Sequence, residues 1–334
     1  MKKALLYQKE GEIVTCRLCA HGCRLKENRV GICGVRKNIN GDLYSLNYDK
    51  VCATHADPIE KKPLYHFLPS SVSYSVATMG CNFKCTFCQN NTLSVVESEN
   101  RIYGEKISPE ELVKTAVKYG SGSIAYTYSE PTIYFELMLE TAQLAREKGL
   151  KNVMVTNGYM SPEALEMISP WLDGANIDLK AYSEDFYKKY CGAALAPVLD
   201  TIKGMKEKGI WVELTTLLIP GLNTDEAEIN DLISFIVSVD KSIPWHVSRF
   251  YPQHRMLDIP PTPAGSIFNV LEKGGEMGLQ YVYAGNVADD RFTHTHCPSC
   301  NTVLISRNGY NTRVLELHDG KCGNCGVPIA GVWQ

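Results

Sequence analysis

The sequence has no uninterrupted apolar stretch near the roughly 18 to 20 residues that a membrane-spanning helix needs, which predicts a soluble protein without a membrane partner. A secretory signal is not expected either, because the basic start Met1-Lys2-Lys3 is followed by Lys9 and Glu10 before an apolar core can form. We therefore expect a cytoplasmic location, where disulfides are disfavoured. An excess of one charge is lacking too. The 34 basic and 37 acidic residues give a net charge of −3, which argues against nucleic acid as a partner.

Cysteine, by contrast, is abundant. The chain of 334 residues has 13 cysteines, an odd number, and 44% of its residues are hydrophobic, enough for a sizeable core. Cys52 and Cys191 stand apart and are interpreted as thiols in or near the core. The others form three tight groups: Cys16, Cys19, Cys23 and Cys33; Cys81, Cys85 and Cys88; Cys297, Cys300, Cys322 and Cys325. This grouping in a reducing compartment indicates metal binding.

Between the second and third groups, β-rich runs alternate with capped helical patterns, which predicts an α/β fold. The predicted strands lie near 74–79, 123–127, 151–156, 174–179, 210–217, 245–251 and 280–284. Helix starts are predicted at Ser108-Pro109, Ser161-Pro162 and Thr262-Pro263. About six such units fit a partial or complete (β/α) barrel of the TIM type, with chemistry at the carboxyl ends of the strands. A doubly wound open sheet is the alternative.

The middle group of cysteines follows the first of these strands. Cys81, Cys85 and Cys88 are three ligands on one loop, whereas a structural zinc site is closed by four. Three soft thiolates suit an iron–sulfur cluster with one iron left open. The alternatives are three unrelated core cysteines or a zinc site completed by a distant residue.

The spacing Cys-x3-Cys-x2-Cys, with Phe87 before the last cysteine and a barrel strand before the first, resembles the radical S-adenosylmethionine (radical SAM) superfamily. The resemblance implies that Cys81, Cys85 and Cys88 hold a [4Fe–4S] cluster whose fourth iron binds S-adenosylmethionine (SAM). In that family, one electron splits SAM into methionine and a 5′-deoxyadenosyl radical, which abstracts hydrogen from the substrate. An open iron also implies oxygen sensitivity and an anaerobic or microaerobic host.

Further segments match the family in order, each at a strand end. Glu130 stands in Tyr128-Ser129-Glu130-Pro131, where the family often has Gly-Gly-Glu-Pro, and would meet the methionine ammonium. Without the two glycines, the family's close backbone contact to methionine is not expected in the same form. On the residues alone, the alternative for Glu130 is a carboxylate at a helix N-terminus.

Three more segments carry the resemblance. Thr156 and Asn157 would reach the ribose or carboxylate of SAM, although Thr156-Asn157-Gly158 alone is a turn. Asp178 and Lys180 lie two residues apart and share one face of an extended chain. They resemble the Asp-Leu-Lys segment that contacts SAM in glycyl-radical-enzyme activases; the alternative is a salt bridge at the strand end. Ile219-Pro220-Gly221 resembles the segment that lines the adenine site in the family; on the residues alone it is a type II turn. His254 would approach the adenine, or it is a surface histidine.

The flanking cysteine groups are complete sets of four. Cys297-x2-Cys300 and Cys322-x2-Cys325 predict a zinc ribbon, with strands at 303–305 and 313–317, in preference to an auxiliary iron–sulfur cluster. His294 and His296 are alternative ligands. The amino-terminal group suits zinc or a cluster, and zinc is favoured.

The segment Asp57–Pro69, interpreted as a proline-bounded extended connector, strengthens the resemblance. With Cys-x2-Cys-x-His-x-Cys before it and Gln89-Asn90 after it, the whole chain resembles the AmmeMemoRadiSam-system radical SAM enzymes, often labelled pyruvate-formate-lyase-activating-enzyme homologues. We expect a four-cysteine metal-binding module at 1–45, a radical SAM barrel at 46–290 and a zinc ribbon at 291–334.

The resemblance implies an electron donor such as flavodoxin or ferredoxin, together with Ammecr-domain and Memo-like partner proteins. It implies a radical SAM enzyme whose substrate is not identified. One alternative is a glycyl-radical-enzyme activating enzyme. Another, of a different class, is a non-catalytic zinc-ribbon, iron–sulfur binding or electron-transfer protein, which the open coordination position disfavours.

Overall fold

The computed structural model describes every residue from Met1 to Gln334. Its amino-terminal part contains two small antiparallel sheets, β1-β6-β5 and β2-β3-β4. The tip between β5 and β6 is Asn40-Gly41, and both residues have positive φ as a two-residue type I′ hairpin requires. The strands are β1 (Lys2–Lys3), β2 (Tyr7–Glu10), β3 (Ile13–Cys16), β4 (Arg24–Leu25), β5 (Arg36–Ile39) and β6 (Asp42–Ser45).

A nine-stranded mixed sheet forms the centre of the molecule. Seven parallel strands run in the order β8-β10-β11-β12-β13-β14-β15, and β7 and β9 extend the β8 edge in antiparallel pairing. Since β15 and β9 are the two ends of this order, the sheet does not close. Its strands are β7 (Lys50–Pro58), β8 (Val72–Thr78), β9 (Glu105–Lys106), β10 (Ser123–Tyr126), β11 (Lys151–Thr156), β12 (Gly174–Asp178), β13 (Trp211–Leu218), β14 (Trp245–Arg249) and β15 (Val282–Gly285). The predicted partial barrel is confirmed.

Helices connect the parallel strands. They are α1 (Asn91–Ser94), α2 (Pro109–Lys118), α3 (Phe135–Glu147), α4 (Pro162–Ile168), α5 (Glu184–Phe186), α6 (Ala196–Glu207), α7 (Glu226–Asp240) and α8 (Ala264–Glu276). Short 3-10 turns lie at Ile59–Lys61, Glu99–Arg101, Pro131–Tyr134 and Ser169–Trp171, and a π turn at Tyr187–Cys191. None of the helices has both the length and the hydropathy that a bilayer crossing requires.

Two of the three predicted helix caps are confirmed. Ser108 forms a capping box with Glu111, and the Ser161 side chain accepts the Ala164 amide. The cap predicted at Thr262 is wrong, because Pro263 occupies the position before α8. The Thr262 hydroxyl is instead buried, where it accepts the Phe250 amide.

The carboxyl-terminal part is a small β unit with its own apolar cluster. Its strands are β16 (Thr295–His296), β17 (Val303–Asn308), β18 (Asn311–Val314), β19 (Leu317–His318) and β20 (Lys321–Cys322). The predicted ribbon strands agree with β17 and with parts of β18 and β19. The amino-terminal module differs from the ribbon, because its buried side chains belong to the same core cluster as those of the central sheet.

The connector 57–69 is less extended than the sequence predicts. It contains the 3-10 turn Ile59–Lys61, and its second half pairs with the end of the chain through hydrogen bonds from Leu68 N to Val332 O and from Val332 N to His66 O, both 2.8 Å. The buried Glu213 carboxylate on β13 accepts the Tyr65 and His66 amides at 2.9 and 2.8 Å. The connector therefore joins the central sheet to the ribbon.

His66 in this connector makes the stability of the fold dependent on pH. The ring is fully buried between Ala330 O, 2.7 Å from Nδ1, and Tyr283 Oη, 2.6 Å from Nε2. Burial lowers the pKa of His66 from 6.5 to about 4. The unfolded chain therefore binds this proton first, and stability falls as the pH falls from about 6.5 towards 4.

Because His66 takes up its proton mainly in the unfolded chain, we expect the free energy of unfolding to fall by roughly 2 kcal/mol when the pH is lowered from about 7 to about 5. Urea unfolding at both pH values measures this loss, and His66→Gln should reduce it. His318→Gln, at an exposed ring, is the control and should keep the wild-type loss. An equal pH dependence in wild type and His66→Gln would contradict the assignment.

Candidate active site

The three middle cysteines lie on the loop that leaves the carboxyl end of β8. Their thiols line one cavity of about 1410 Å³ at the carboxyl ends of the parallel strands. Cys81 Sγ accepts the Phe83 amide at 3.3 Å, and Cys88 Sγ lies 3.7 Å from Ser94 Oγ. Three thiols on one wall of a cavity fit a [4Fe–4S] cluster that leaves one iron facing the open space.

Cys191 is also part of this region, although no local sequence pattern assigns it a role. Its buried thiol lies beside that of Cys85. The backbone fixes this contact, since Lys84 N donates to Cys191 O at 2.8 Å and Thr86 N donates to Tyr190 O at 3.0 Å. The π turn that ends in Cys191 is thus hydrogen-bonded to the cysteine loop and holds it in place.

Glu130 lies in the cavity wall, just after β10 and directly before the 3-10 turn Pro131–Tyr134. Its Oε1 accepts hydrogen bonds from Thr132 N, Thr132 Oγ1 and Thr156 Oγ1 at 2.7–3.0 Å, and its Oε2 accepts only the Asn157 amide, at 2.8 Å. Burial raises the pKa of Glu130, and these hydrogen bonds oppose the increase. Glu130 is therefore the predicted helix-terminal carboxylate, and its Oε2 retains capacity for one more donor.

Tyr128 and Ser129 replace the two glycines of the family pattern. Tyr128 keeps a φ of 66°, the left-handed conformation that glycine adopts without strain. Its hydroxyl donates to Asp57 Oδ2 at 2.5 Å, and Ser129 Oγ donates to Thr78 O at 2.6 Å. These side-chain bonds hold the loop in its bent form without glycine.

Thr156 and Asn157 connect Glu130 to the cysteine loop. The Thr156 hydroxyl donates to Glu130, and Asn157 Nδ2 donates to Asn82 Oδ1 at 2.7 Å while lying 3.8 Å from Cys81 Sγ. Both residues are almost completely buried yet line the cavity. The structure therefore brings together the predicted site residues of three neighbouring strand ends.

Asp178 and Lys180 follow on the next strand end. They form an ion pair of 2.9 Å, and both line the cavity. Burial lowers the pKa of Lys180, but Asp178 and the nearby thiols of Cys85 and Cys191 raise it more, so the ammonium stays protonated. Asp178 and Lys180 therefore form the salt bridge that the sequence allows and at the same time line the cavity.

The remaining predicted adenine contacts do not face the cavity. Gly221 has a φ of 73° and Leu222 N donates to Ile219 O, so the predicted type II turn at Ile219-Pro220-Gly221 is confirmed, but none of its three residues lines the cavity. His254 is half-buried and also lies outside the cavity wall. Only the neighbouring Arg255 reaches the cysteine loop, through its amide to Thr86 O.

Comparisons with known proteins agree with this geometry. An uncharacterized protein of Methanocaldococcus jannaschii is 42% identical over 333 residues, which cover 98% of this chain and 99% of that protein. The family described as the radical SAM superfamily matches residues 75–235, which include the three cysteines and the strand ends that follow them. The chain belongs to the radical SAM superfamily.

Other relatives of this radical SAM enzyme have more specific names. The pyruvate formate-lyase-activating enzyme of Clostridium pasteurianum is 22% identical over 166 residues, 48% of this chain and 67% of that protein. Among solved structures, a radical SAM methyltransferase from Sphaerobacter thermophilus aligns with a TM-score of 0.51 and 14% identity, covering 66% of this chain and 68% of that one. The structural likeness shows a shared fold.

The carboxyl-terminal unit of the radical SAM enzyme contains four cysteines that are positioned to hold a metal ion. The sulfurs of Cys297, Cys300, Cys322 and Cys325 all lie within 4.8 Å of one another, in a chain where no other such group occurs. His294 and His296 are not in this group; their Nδ1 atoms lie 3.1 Å from Arg307 N and 3.2 Å from Asn301 O. The four thiolates can close a tetrahedron around one metal ion.

We expect this group to hold about one zinc ion per chain. Two sulfur pairs are already 3.6 Å apart, close to the roughly 3.8 Å that tetrahedral Zn–S bonds of about 2.3 Å require. Metal analysis of anaerobically purified Cys300→Ser should show this zinc lost. His296→Ala is the control and should retain it. Iron in place of zinc, lost in the same variant, would contradict the expectation.

The amino-terminal cysteines of the radical SAM enzyme line a second, much smaller cavity. Cys16, Cys19, Cys23 and Cys33 surround it together with His21, Arg36 and Ile133. Cys16 and Cys33 are buried, and Cys19 and Cys23 are half-buried. The structure therefore brings the predicted four thiols to one place.

Proposed function

We propose that this radical SAM enzyme binds SAM between the Cys81–Cys88 loop and the strand ends that carry Glu130, Thr156, Asn157, Asp178 and Lys180. The observation that supports this placement is the shared cavity: the three cluster thiols and these five side chains line it together. When bound and reduced by one electron, the cluster supplies cleavage of SAM to methionine and a 5′-deoxyadenosyl radical that abstracts hydrogen from the substrate.

The protein's own residues then have separable tasks. Glu130 Oε2, which accepts a single hydrogen bond, can take the methionine ammonium as a second donor. Asn157 fixes the cysteine loop through Asn82 and keeps that loop at a set position relative to Glu130. Lys180, oriented by Asp178, places a positive charge beside the cavity for an anionic group.

The size of the cavity leaves room for a substrate beside SAM. Its volume of about 1410 Å³ exceeds the roughly 300–1,000 Å³ of a typical small-molecule site. We therefore infer that SAM and substrate occupy it together, the substrate being a small metabolite or a segment of a partner protein. Reduction requires a one-electron donor of the flavodoxin or ferredoxin class.

Glu130→Gln tests the SAM site directly. We expect it to weaken SAM binding about 10- to 100-fold, because it removes a charged acceptor and places a second donor against the Asn157 amide. A SAM titration of the reduced cluster, followed by electron paramagnetic resonance (EPR), measures the affinity. The iron content must match the wild type. His254→Ala is the control and should leave the affinity unchanged. Equal affinities in Glu130→Gln and wild type would exclude Glu130 from the site.

Membership of the AmmeMemoRadiSam system is the proposed biological setting. The whole-chain motif order supports it, with Ammecr-domain and Memo-like proteins as partners. The second candidate is an activase that installs a glycyl radical in a protein, which the similarity to the pyruvate formate-lyase-activating enzyme favours. The gene neighbourhood separates the two: Ammecr-domain and Memo-like genes support the first candidate, whereas an adjacent glycyl-radical enzyme that acquires a SAM-dependent radical EPR signal supports the second.

A further inference from the structure

The two sets of four cysteines differ in spacing. The ribbon sulfurs all lie within 4.8 Å of one another, but neither the amino-terminal four nor any three of them do, although they enclose one cavity. Around a single zinc ion all four sulfurs are close neighbours. In an iron–sulfur cluster each cysteine binds a different iron, so the sulfurs lie farther apart. The amino-terminal spacing therefore fits a cluster better than it fits zinc.

Arg36 supplies a second observation at this cavity. Its guanidinium is 1% exposed and lines the cavity, and its Nη1 and Nη2 are engaged by Glu136 and by Leu5 O. Its Nε has no hydrogen-bond partner in the protein. A buried donor left unpaired is costly. A cluster brings inorganic sulfides as additional acceptors for such a donor, whereas a zinc ion brings none.

The amino-terminal cavity is also joined to the loop of the SAM-binding cluster. His21, between Cys19 and Cys23, donates from Nε2 to the carbonyl of Asn82 at 2.8 Å, and Asn82 directly follows Cys81. On the other side, Gly80 packs so tightly that an added Cβ would lie 3.1 Å from Cys33 O. One hydrogen bond and a few covalent bonds thus connect the two cysteine groups.

From these contacts we propose that Cys16, Cys19, Cys23 and Cys33 hold a second [4Fe–4S] cluster, which passes single electrons to the cluster at Cys81. This proposal rests on the proposed function for its electron acceptor. A reduced protein carrier of the flavin or iron–sulfur class gives one electron to the second cluster, which changes from the 2+ to the 1+ state. The second cluster returns to 2+ as the cluster at Cys81 changes from 2+ to 1+, and no bond or proton changes place.

The positions of the two cavities give such a relay a purpose, because they provide separate sides for the substrate and for the electron donor. SAM and substrate occupy the large cavity during the reaction, so a protein donor cannot approach the SAM-binding cluster from that side. The amino-terminal cysteines have an outer side instead, where Ala20, Gly22 and Ile32 are exposed. An electron can enter from this side while SAM and substrate fill the large cavity at the strand ends, which we call the reaction cavity.

The first experiment asks which metal the module holds. We reconstitute the full chain anaerobically with ferrous iron and sulfide after replacing Cys81, Cys85 and Cys88 with alanine. About four irons per chain should remain, with an EPR signal on reduction by dithionite that does not respond to SAM. Adding Cys19→Ser and Cys33→Ser should remove this iron, while adding Cys300→Ser should not. Zinc without iron in the first variant overturns the proposal.

The second experiment tests electron transfer with all cluster ligands intact. His21→Ala removes the hydrogen bond to Asn82 and should keep about eight irons per chain. Reduction of the SAM-binding cluster by a reduced ferredoxin, followed by freeze-quench EPR, should slow at least tenfold. Reduction by dithionite should keep its rate. An unchanged ferredoxin rate overturns the relay.

Failure of this proposal is distinguishable from failure of the proposed function. A wild-type cluster whose EPR signal ignores SAM contradicts SAM binding at Cys81–Cys88 and does not concern the amino-terminal metal. Iron retained in the variant without those three cysteines supports the second cluster regardless of SAM.

Discussion

Replacing Cys85 with alanine is expected to abolish 5′-deoxyadenosine formation. In the proposed function three thiolates hold the cluster, and Cys85 is the central one of the three in sequence, close to Lys180 and to Cys191. Without it, one iron loses its protein ligand and the cluster is not retained in a redox-active form. The product is measured by chromatography after anaerobic reconstitution and incubation with dithionite and SAM, and it should fall below detection.

Cys52→Ala is the matched control for this variant. Cys52 is a half-buried cysteine on β7 whose thiol lies 3.5 Å from Ala77 O, and it does not line the reaction cavity. Its replacement should leave product formation near the wild-type rate. A wild type that binds no cluster, or equal product from Cys85→Ala, would show that the cysteine loop has another role.

Replacing Glu136 with alanine is expected to destabilise the protein by about 3 to 5 kcal/mol. Arg36 and Glu136 are each 1% exposed and form a two-pronged ion pair with N–O distances of 2.6 and 3.2 Å. Glu136 also accepts the Leu5 amide at 2.8 Å. The variant leaves the buried Arg36 guanidinium without its carboxylate partner, in the contact that joins the amino-terminal module to α3. Denaturant unfolding measures the loss, and hydrogen exchange should increase first in residues 1–45.

Two variants separate this effect from a general sensitivity to charge removal. Lys37, adjacent to Arg36 in sequence, pairs with the more exposed Glu99, so Lys37→Ala should cost less than about 1 kcal/mol. The double replacement Arg36→Met with Glu136→Leu removes both members of the buried pair and should be less destabilising than Glu136→Ala alone. Equal losses from Lys37→Ala and Glu136→Ala would contradict the importance of burial.

Local sequence patterns predicted the central sheet well. Each parallel strand carries a short β-rich run, and each predicted range overlaps an observed strand, for example 151–156 with β11 and 174–179 with β12. The caps at Ser108 and Ser161 were also predictable, because the capping atoms lie within three residues of each other. The strand ends then placed Glu130, Asn157 and Lys180 in one cavity, since parallel strands end at the same edge.

Features that depend on contacts between distant residues were not predictable. The connector bends where Glu213 binds the Tyr65 and His66 amides, and nothing near residue 65 indicates this partner. Cys191 resembles any core thiol until the fold brings it to Cys85. His254 is predicted to contact adenine, but its side chain lies outside the cavity wall, and the amide of the next residue, Arg255, donates to Thr86 O.

The hairpin between β17 and β18 forms part of the reaction cavity, with Arg307, Asn308 and Tyr310 in its wall. Arg307 is buried and donates to Tyr65 O at 2.8 Å, so the hairpin is anchored to the connector while its tip projects towards the cavity. The cysteine loop and the strand ends that we assign to SAM belong to a different part of the chain. Exchange of a few tip residues would therefore change which substrates this part of the cavity wall admits, while the cysteine loop and the strand ends stay the same.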